Sequence, residues 1–113
     1  MADQRTTFHL APRPRWSGWD PTAPYESPSL HEDGFIHCTD GIANMVATAN
    51  RFYRSDPGAF VVLTIDLDRC GSPWHIDDPG KPFPHIYGPI ARAAILAVQP
   101  YLREPDGTFN SFE

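Results

Sequence analysis

No apolar run in this chain approaches the ~20 residues a membrane-spanning helix needs, and the start, Met1 to Thr7, is polar before Pro12 and Pro14 interrupt it. The chain therefore reads as a soluble, non-secreted protein, with the cytoplasm as its expected location and no membrane partner. Cysteine is equally scarce. Cys38 and Cys70 are too few and too far apart to build a disulfide framework or a metal knuckle, and are expected as free thiols of a reducing compartment. Basic charge is also short: nine Lys and Arg against fourteen Asp and Glu give a net charge of −5. Without clustered cations the chain cannot coat nucleic acid broadly, although a local contact with a phosphate or small anionic ligand stays open. Neither GxGxxG nor GxxxxGK[ST] occurs, which removes the Rossmann and P-loop signatures. The five histidines show no HxH or HExxH spacing, and CxxC is absent. No resident metal is expected, and His31, His75, Asp77 and Asp78 offer at most a transient one.

What the chain has in excess is proline, thirteen in 113 residues, spread as punctuation between short elements rather than as a repeat. Its aromatic content, 12%, speaks for a packed core over disorder. One domain spanning residues 1–113 is the natural reading of this length. Thr6 to Leu10 is a β-prone run stopped by Pro12, Arg13 to Gly18 suits one helical turn, and a proline-rich loop follows through Pro28. Gly34 to Cys38 alternates as a strand, with Phe35 and His37 on one face and Ile36 and Cys38 on the other, toward the helix. Ile42, Met45, Val46, Ala49, Phe52 and Tyr53 recur at helical spacing, predicting a helix capped by Thr39 or Asp40, ending near Arg54, with Phe52 in the core. Phe60 to Asp66 reads as a central strand and Trp74 to Ile76 as an edge strand. His85 to Tyr87 is a short extended piece, and Ala91 to Tyr101 a strand. Asp66 and Asp68 fit a solvated turn. The order is that of an α+β protein.

Two stretches carry the chemistry. GFIHCTD, Gly34 to Asp40, and PFPHIYGPI, Pro82 to Ile90, each set a histidine beside aromatics in a short strand, where an imidazole titrating near neutral pH faces a cleft. The competing reading is a pair of core histidines bonded to backbone. With His9 and Thr39 able to hold hydroxyls or phosphates, and Tyr53 or Tyr87 offering a ring face, the set describes a small-molecule site for a nucleotide-like ligand. His37 and His85 are then its acid/base or phosphate-contacting groups. Cys38 as a nucleophile is a third reading, opposed by its place in an apolar run. Trp16 and Trp19 are expected in packing. A module that binds without catalysis is the rival to an enzyme.

The series FHLAP, GFIHCTD, NRFY, VVLTID, FPHIYGPI, AAILAV and DGTF resembles an uncharacterised bacterial family, domain-of-unknown-function family 952, across nearly the whole chain. Some of its members carry a glutathione-transferase label that no residue here supports. That family in turn resembles the ADP-ribosyltransferase-like fold, which implies a compact split mixed β-sheet with one main helix and a cleft for NAD or ADP-ribose. By that resemblance His9 is similar to the histidine that contacts the cofactor ribose. The stretch from Phe35 through Thr39 into the helix bearing Ala49 and Tyr53 is similar to the frame of the nicotinamide pocket. Where many transferases carry a catalytic glutamate, this chain has His85.

Overall fold

In the computed structural model, which describes residues 5–112, two three-stranded sheets enclose the core. The first has the order β1 (Thr6–Pro12), β3 (Phe60–Asp66), β6 (Ile95–Pro100). The second has β2 (Ile36–His37), β5 (His85–Ile86), β4 (Trp74–His75). Strand β3 is central because VVLTI is apolar on both faces: Val61, Leu63 and Ile65 enter one core, Val62 the other. All these pairings are antiparallel, so the mixed sheet expected from the sequence is corrected. Strand β1 reaches β3 through α1, α2, β2 and α3, and the chain returns alongside it in the opposite direction.

Among the described residues a single backbone pair joins the two sheets. Phe8 and Thr39 form an isolated antiparallel bridge, with Phe8 N–H on the Thr39 carbonyl at 3.0 Å and the reciprocal bond at 2.8 Å. Arg5 reinforces it, gripping both oxygens of Asp40 at 3.0 and 2.8 Å while its guanidinium lies 5.3 Å from the Trp74 ring centre. These commitments explain where the main helix starts. Thr39 is spent on the bridge and Asp40 on Arg5, so α3 (Ile42–Tyr53) is capped by Gly41, at φ 84°, instead of by either polar residue.

The larger core lies between the sheets and gathers Ala11, Tyr25, Ile36, Cys38, Leu63, Ile65 and Ile86, with Trp16 and Trp19 edge-on to Tyr25. Cys38 belongs here, not against α3, because Thr39 is where the chain turns toward β1. The smaller core packs Met45 and Ala49 of α3 on Leu10, Phe60 and Val62, closed by Tyr101, Phe109 and Phe112. Phe52 is outside it, 63% exposed, since the buried stripe of α3 runs through Met45 and Ala49. Helix α1 (Arg13–Gly18) falls where expected, whereas the proline-rich loop contains a second turn, α2 (Pro28–Glu32), with Pro28 in its first turn. Strand β6 begins only at Ile95, after a 3₁₀ turn over Arg92–Ala94. Asp66 is buried, accepting the Asp68 N–H at the head of another 3₁₀ turn, so only Asp68 is solvated.

The C-terminal end of α3 is closed by Arg103. Its guanidinium donates to the carbonyls of Gly58, Tyr53, Arg54 and Gly107 and sits 4.3 Å from the Phe109 ring centre. Gly107 passes so close to α3, at φ 94°, that an added Cβ would fall 2.2 Å from the Arg54 carbonyl oxygen. Gly107→Ala is expected to lower unfolding free energy by about 2–3 kcal/mol, combining left-handed backbone strain with a backbone clash. Urea denaturation measures this, and a loss below about 0.5 kcal/mol would contradict the geometry.

Candidate functional site

The split between the sheets is the site. Strand β1 pairs with β3 on one side, and its other edge touches Thr39 only at Phe8. Backbone groups alternate between the two edges of a strand, so the N–H and C=O of Leu10 face the same open side as those of Phe8. Beyond the bridge the strands part around a cavity of about 310 Å³, whose walls include His9, Ser27, Glu32, Asp33, His37, Thr39 and Tyr53. A second lobe of about 290 Å³ adds Cys38, Phe52, Phe83 and His85. The lobes share His37, Thr39, Thr48 and Tyr53 and form one continuous cleft.

Three histidines on its walls are held differently. His9 faces inward from β1 and is 5% exposed. Its Nδ1–H donates to the His37 carbonyl at 2.6 Å, which leaves Nε2 as the lone-pair nitrogen, buried and without a partner. Burial, against the weaker pull of that carbonyl bond, drives the His9 pKa down to about 4. The other two are held by carboxylates. His37 donates through Nε2–H to Asp33 at 2.9 Å, and His85 through Nδ1–H to Asp77 at 2.8 Å. Each therefore keeps its other ring nitrogen free for chemistry. Their ring centres are 5.5 Å apart, and Phe35 sits against both, stacked on His85 at 4.0 Å and edge-on to His37 at 4.7 Å. Alternation along Gly34 to Cys38 puts Phe35 and His37 on one face, and β5 pairs His85 directly with His37.

Tyr87 is the site candidate that lines neither lobe. Its hydroxyl donates to the same Asp77 oxygen that holds His85, which raises the Tyr87 pKa and, together with His85, lowers that of Asp77. Its ring meets Phe35 at 5.5 Å. His9, His37, Thr39, Tyr53 and His85 come together. Tyr53 closes one wall with its hydroxyl pKa raised by burial and by the negative charge of Asp56 and Asp33. Cys38 touches the second lobe, but burial pushes its pKa far up, so the thiolate a nucleophile needs is disfavoured. Sequence reasoning passed over Asp33 and Glu32, and placed Phe35 on the His37 face without its contact to His85. Asp33 lies four residues before His37, a spacing that carries no signal outside a helix, and α2 was not foreseen.

Among the described residues no three His, Cys, Asp or Glu side chains are grouped to hold a metal ion, and no helix is long and apolar enough to cross a membrane. The family model described as a protein of unknown function, DUF952, matches residues 10–98. The chain belongs to the DUF952 family. Among solved structures it is similar to the crystal structure of CC0527 from Caulobacter crescentus, at 23% identity and a TM-score of 0.75, with 93% of each chain covered. A double mutant of CC0527 gives the same figures. The solution structure of CC0527 matches with a TM-score of 0.67, covering 90% of this chain and 89% of that one. No curated protein matches. These likenesses define a shared fold, and the DUF952 region runs from Leu10 in β1 to Val98 in β6, taking in the lining residues of both lobes except His9.

The buried His9 has a consequence for stability. Its folded pKa, about 4, lies below the ordinary 6.5, so between these values the unfolded chain binds the proton and the folded chain does not. Stability is whole above pH 6.5 and falls as pH drops toward 4, by ~3 kcal/mol from this group. His9→Gln, neutral throughout, should flatten the pH dependence of the urea midpoint across that window. An unchanged slope would contradict the buried, neutral imidazole.

Proposed function

We propose that the cleft binds a nucleoside- or nucleotide-like small molecule and that His37 and His85 act on it as an acid/base pair, in the manner of a transferase. The observation that carries this reading is a pair of carboxylate-held imidazoles, ring centres 5.5 Å apart, on the wall of a cleft that His9 also lines. Two such rings span one reacting centre. The one whose free nitrogen is unprotonated takes a proton from an attacking hydroxyl, and the other, as imidazolium, gives one to the leaving group. Asp33 and Asp77 fix which nitrogen each ring presents. Phe52, Tyr53 and Phe83 line the second lobe with ring faces suited to a flat heteroaromatic group. The ADP-ribosyltransferase-like resemblance fits a split sheet with a histidine on its first strand, and it makes NAD and ADP-ribose members of the ligand class to be tried. His85 and Asp77 then stand where the glutamate of many transferases is absent.

The test is calorimetric titration with NAD, ADP-ribose, a 2′-phosphorylated nucleotide and the parent nucleosides, followed by mass detection of any released base or phosphate. At least one is expected to bind, with His85→Ala keeping affinity within about threefold while turnover falls by ~10²–10⁴. No binding across the panel would contradict the reading, and binding without turnover in the wild type would favour a module that does not catalyse.

A further inference from the structure

His37 and His85 are each held by one carboxylate, yet the two carboxylates are not equally fixed. Asp33 follows the α2 turn and, among the described residues, its side chain takes the His37 Nε2–H alone. Asp77 lies past the end of β4, in a segment with Pro79 and Gly80, and its side chain is 45% exposed. An aspartate in water keeps its rotamers, and one exposed bond to an imidazole holds it weakly. A second donor changes that. The Tyr87 hydroxyl donates to the same Asp77 oxygen that accepts His85 Nδ1–H at 2.8 Å. This bond is also the chief reason the Asp77 carboxyl sits below its ordinary range, which keeps it an acceptor.

Tyr87 is itself anchored. Its backbone N–H bonds the Pro73 carbonyl at 2.7 Å, and its ring meets those of Phe35 at 5.5 Å and His75 at 5.6 Å. Gly88, next in the chain, runs so close to Ser72 that an added Cβ would lie 2.4 Å from its Oγ. In the sheet, β5 pairs His85 with His37 on one side and with His75 on the other, so the three imidazoles share a face, and the charge of His75 also acts on Asp77. Which nitrogen of a neutral imidazole carries the proton is set by the bond the ring makes, and with nothing at Nδ1 the Nε2–H form prevails in water.

We infer that Tyr87 is a positioning residue of the cleft: its hydroxyl fixes Asp77, Asp77 fixes His85 as the Nδ1–H tautomer, and Nε2 is thereby the nitrogen His85 has for acid/base work. This rests on the acid/base reading of His37 and His85 proposed above and deepens it, adding a residue that lines neither lobe. It also separates the two imidazoles. His85 is preset by a three-residue unit, whereas the orientation of His37 depends on a carboxylate beside a single helical turn.

The experiment is long-range ¹H–¹⁵N NMR of the His85 ring without ligand, at a pH about two units above the ordinary histidine value of ~6.5, in the wild type, Tyr87→Phe and Asp77→Ala. Wild-type His85 is expected as Nδ1–H alone. Tyr87→Phe keeps the ring and should bring in the Nε2–H form, while Asp77→Ala should turn His85 over to it. A purely structural Tyr87 would lower the urea midpoint and leave the tautomer unmoved. An unchanged His85 tautomer in folded Tyr87→Phe, or Nδ1–H persisting in Asp77→Ala, would overturn the inference. That failure leaves the nucleoside-type reading standing, because no ligand enters the measurement, and an empty ligand panel leaves the tautomer result standing in turn. With any panel member that turns over, Tyr87→Phe should keep KM within about threefold and lower kcat by less than the ~10²–10⁴-fold expected of His85→Ala. A change in KM alone would contradict positioning.

Discussion

Two backbone hydrogen bonds between Phe8 and Thr39 hold the candidate site open and in register. The sheets on either side share the larger core, and this pair is where their edges are tied. Because the tie is one residue long, the chains separate immediately beyond it, and the space between them is the cleft. The same short segment performs a second task. The His37 carbonyl, two residues before the bridge residue, receives the His9 Nδ1–H and so decides which nitrogen of that imidazole carries the proton. Arg5, bound to Asp40 one residue beyond the bridge, keeps the segment from sliding.

From this follows an electrical division among three histidines that look alike in sequence. Burial keeps His9 neutral and makes it an acceptor. Carboxylates hold His37 and His85 by one nitrogen each, which orients the other nitrogen. Phe35 packs on both rings and limits their rotation. Asp77 supports His85 and Tyr87 through one oxygen, so Tyr87 serves the site by positioning rather than by touching the cavity.

Much of this could be read from the chain. Alternation in GFIHC put His37 opposite Ile36 and Cys38, the helical spacing from Ile42 to Tyr53 marked α3, and the β-branched run from Val61 to Ile65 marked the central strand. Those patterns are local and repeat often enough to be legible. What was hidden depends on distant partners. Thr39 and Asp40 have the chemistry of helix caps, but β1 and Arg5 claim them first, and Gly41 takes the position. Phe52 fits the helical period yet lies on the wall of the second lobe, exposed, instead of in the core. Helix α2 is a single turn among prolines, with no period to detect, and its carboxylates Glu32 and Asp33 were invisible as site residues for that reason. Tyr87 has the ring of a stacking group, and only the position of Asp77 shows that its hydroxyl is engaged.

The account stands on His9 being held neutral, with Nδ1–H on the His37 carbonyl and Nε2 buried and bare. Long-range ¹H–¹⁵N NMR of the histidine rings, followed from pH 7.5 down to the onset of acid unfolding, reads that state directly. The account predicts a His9 ring protonated at Nδ1 alone at neutral pH, unprotonated at Nε2, and not titrating until well below pH 5. An Nε2–H tautomer, or a His9 ring that titrates near its ordinary 6.5, would contradict it.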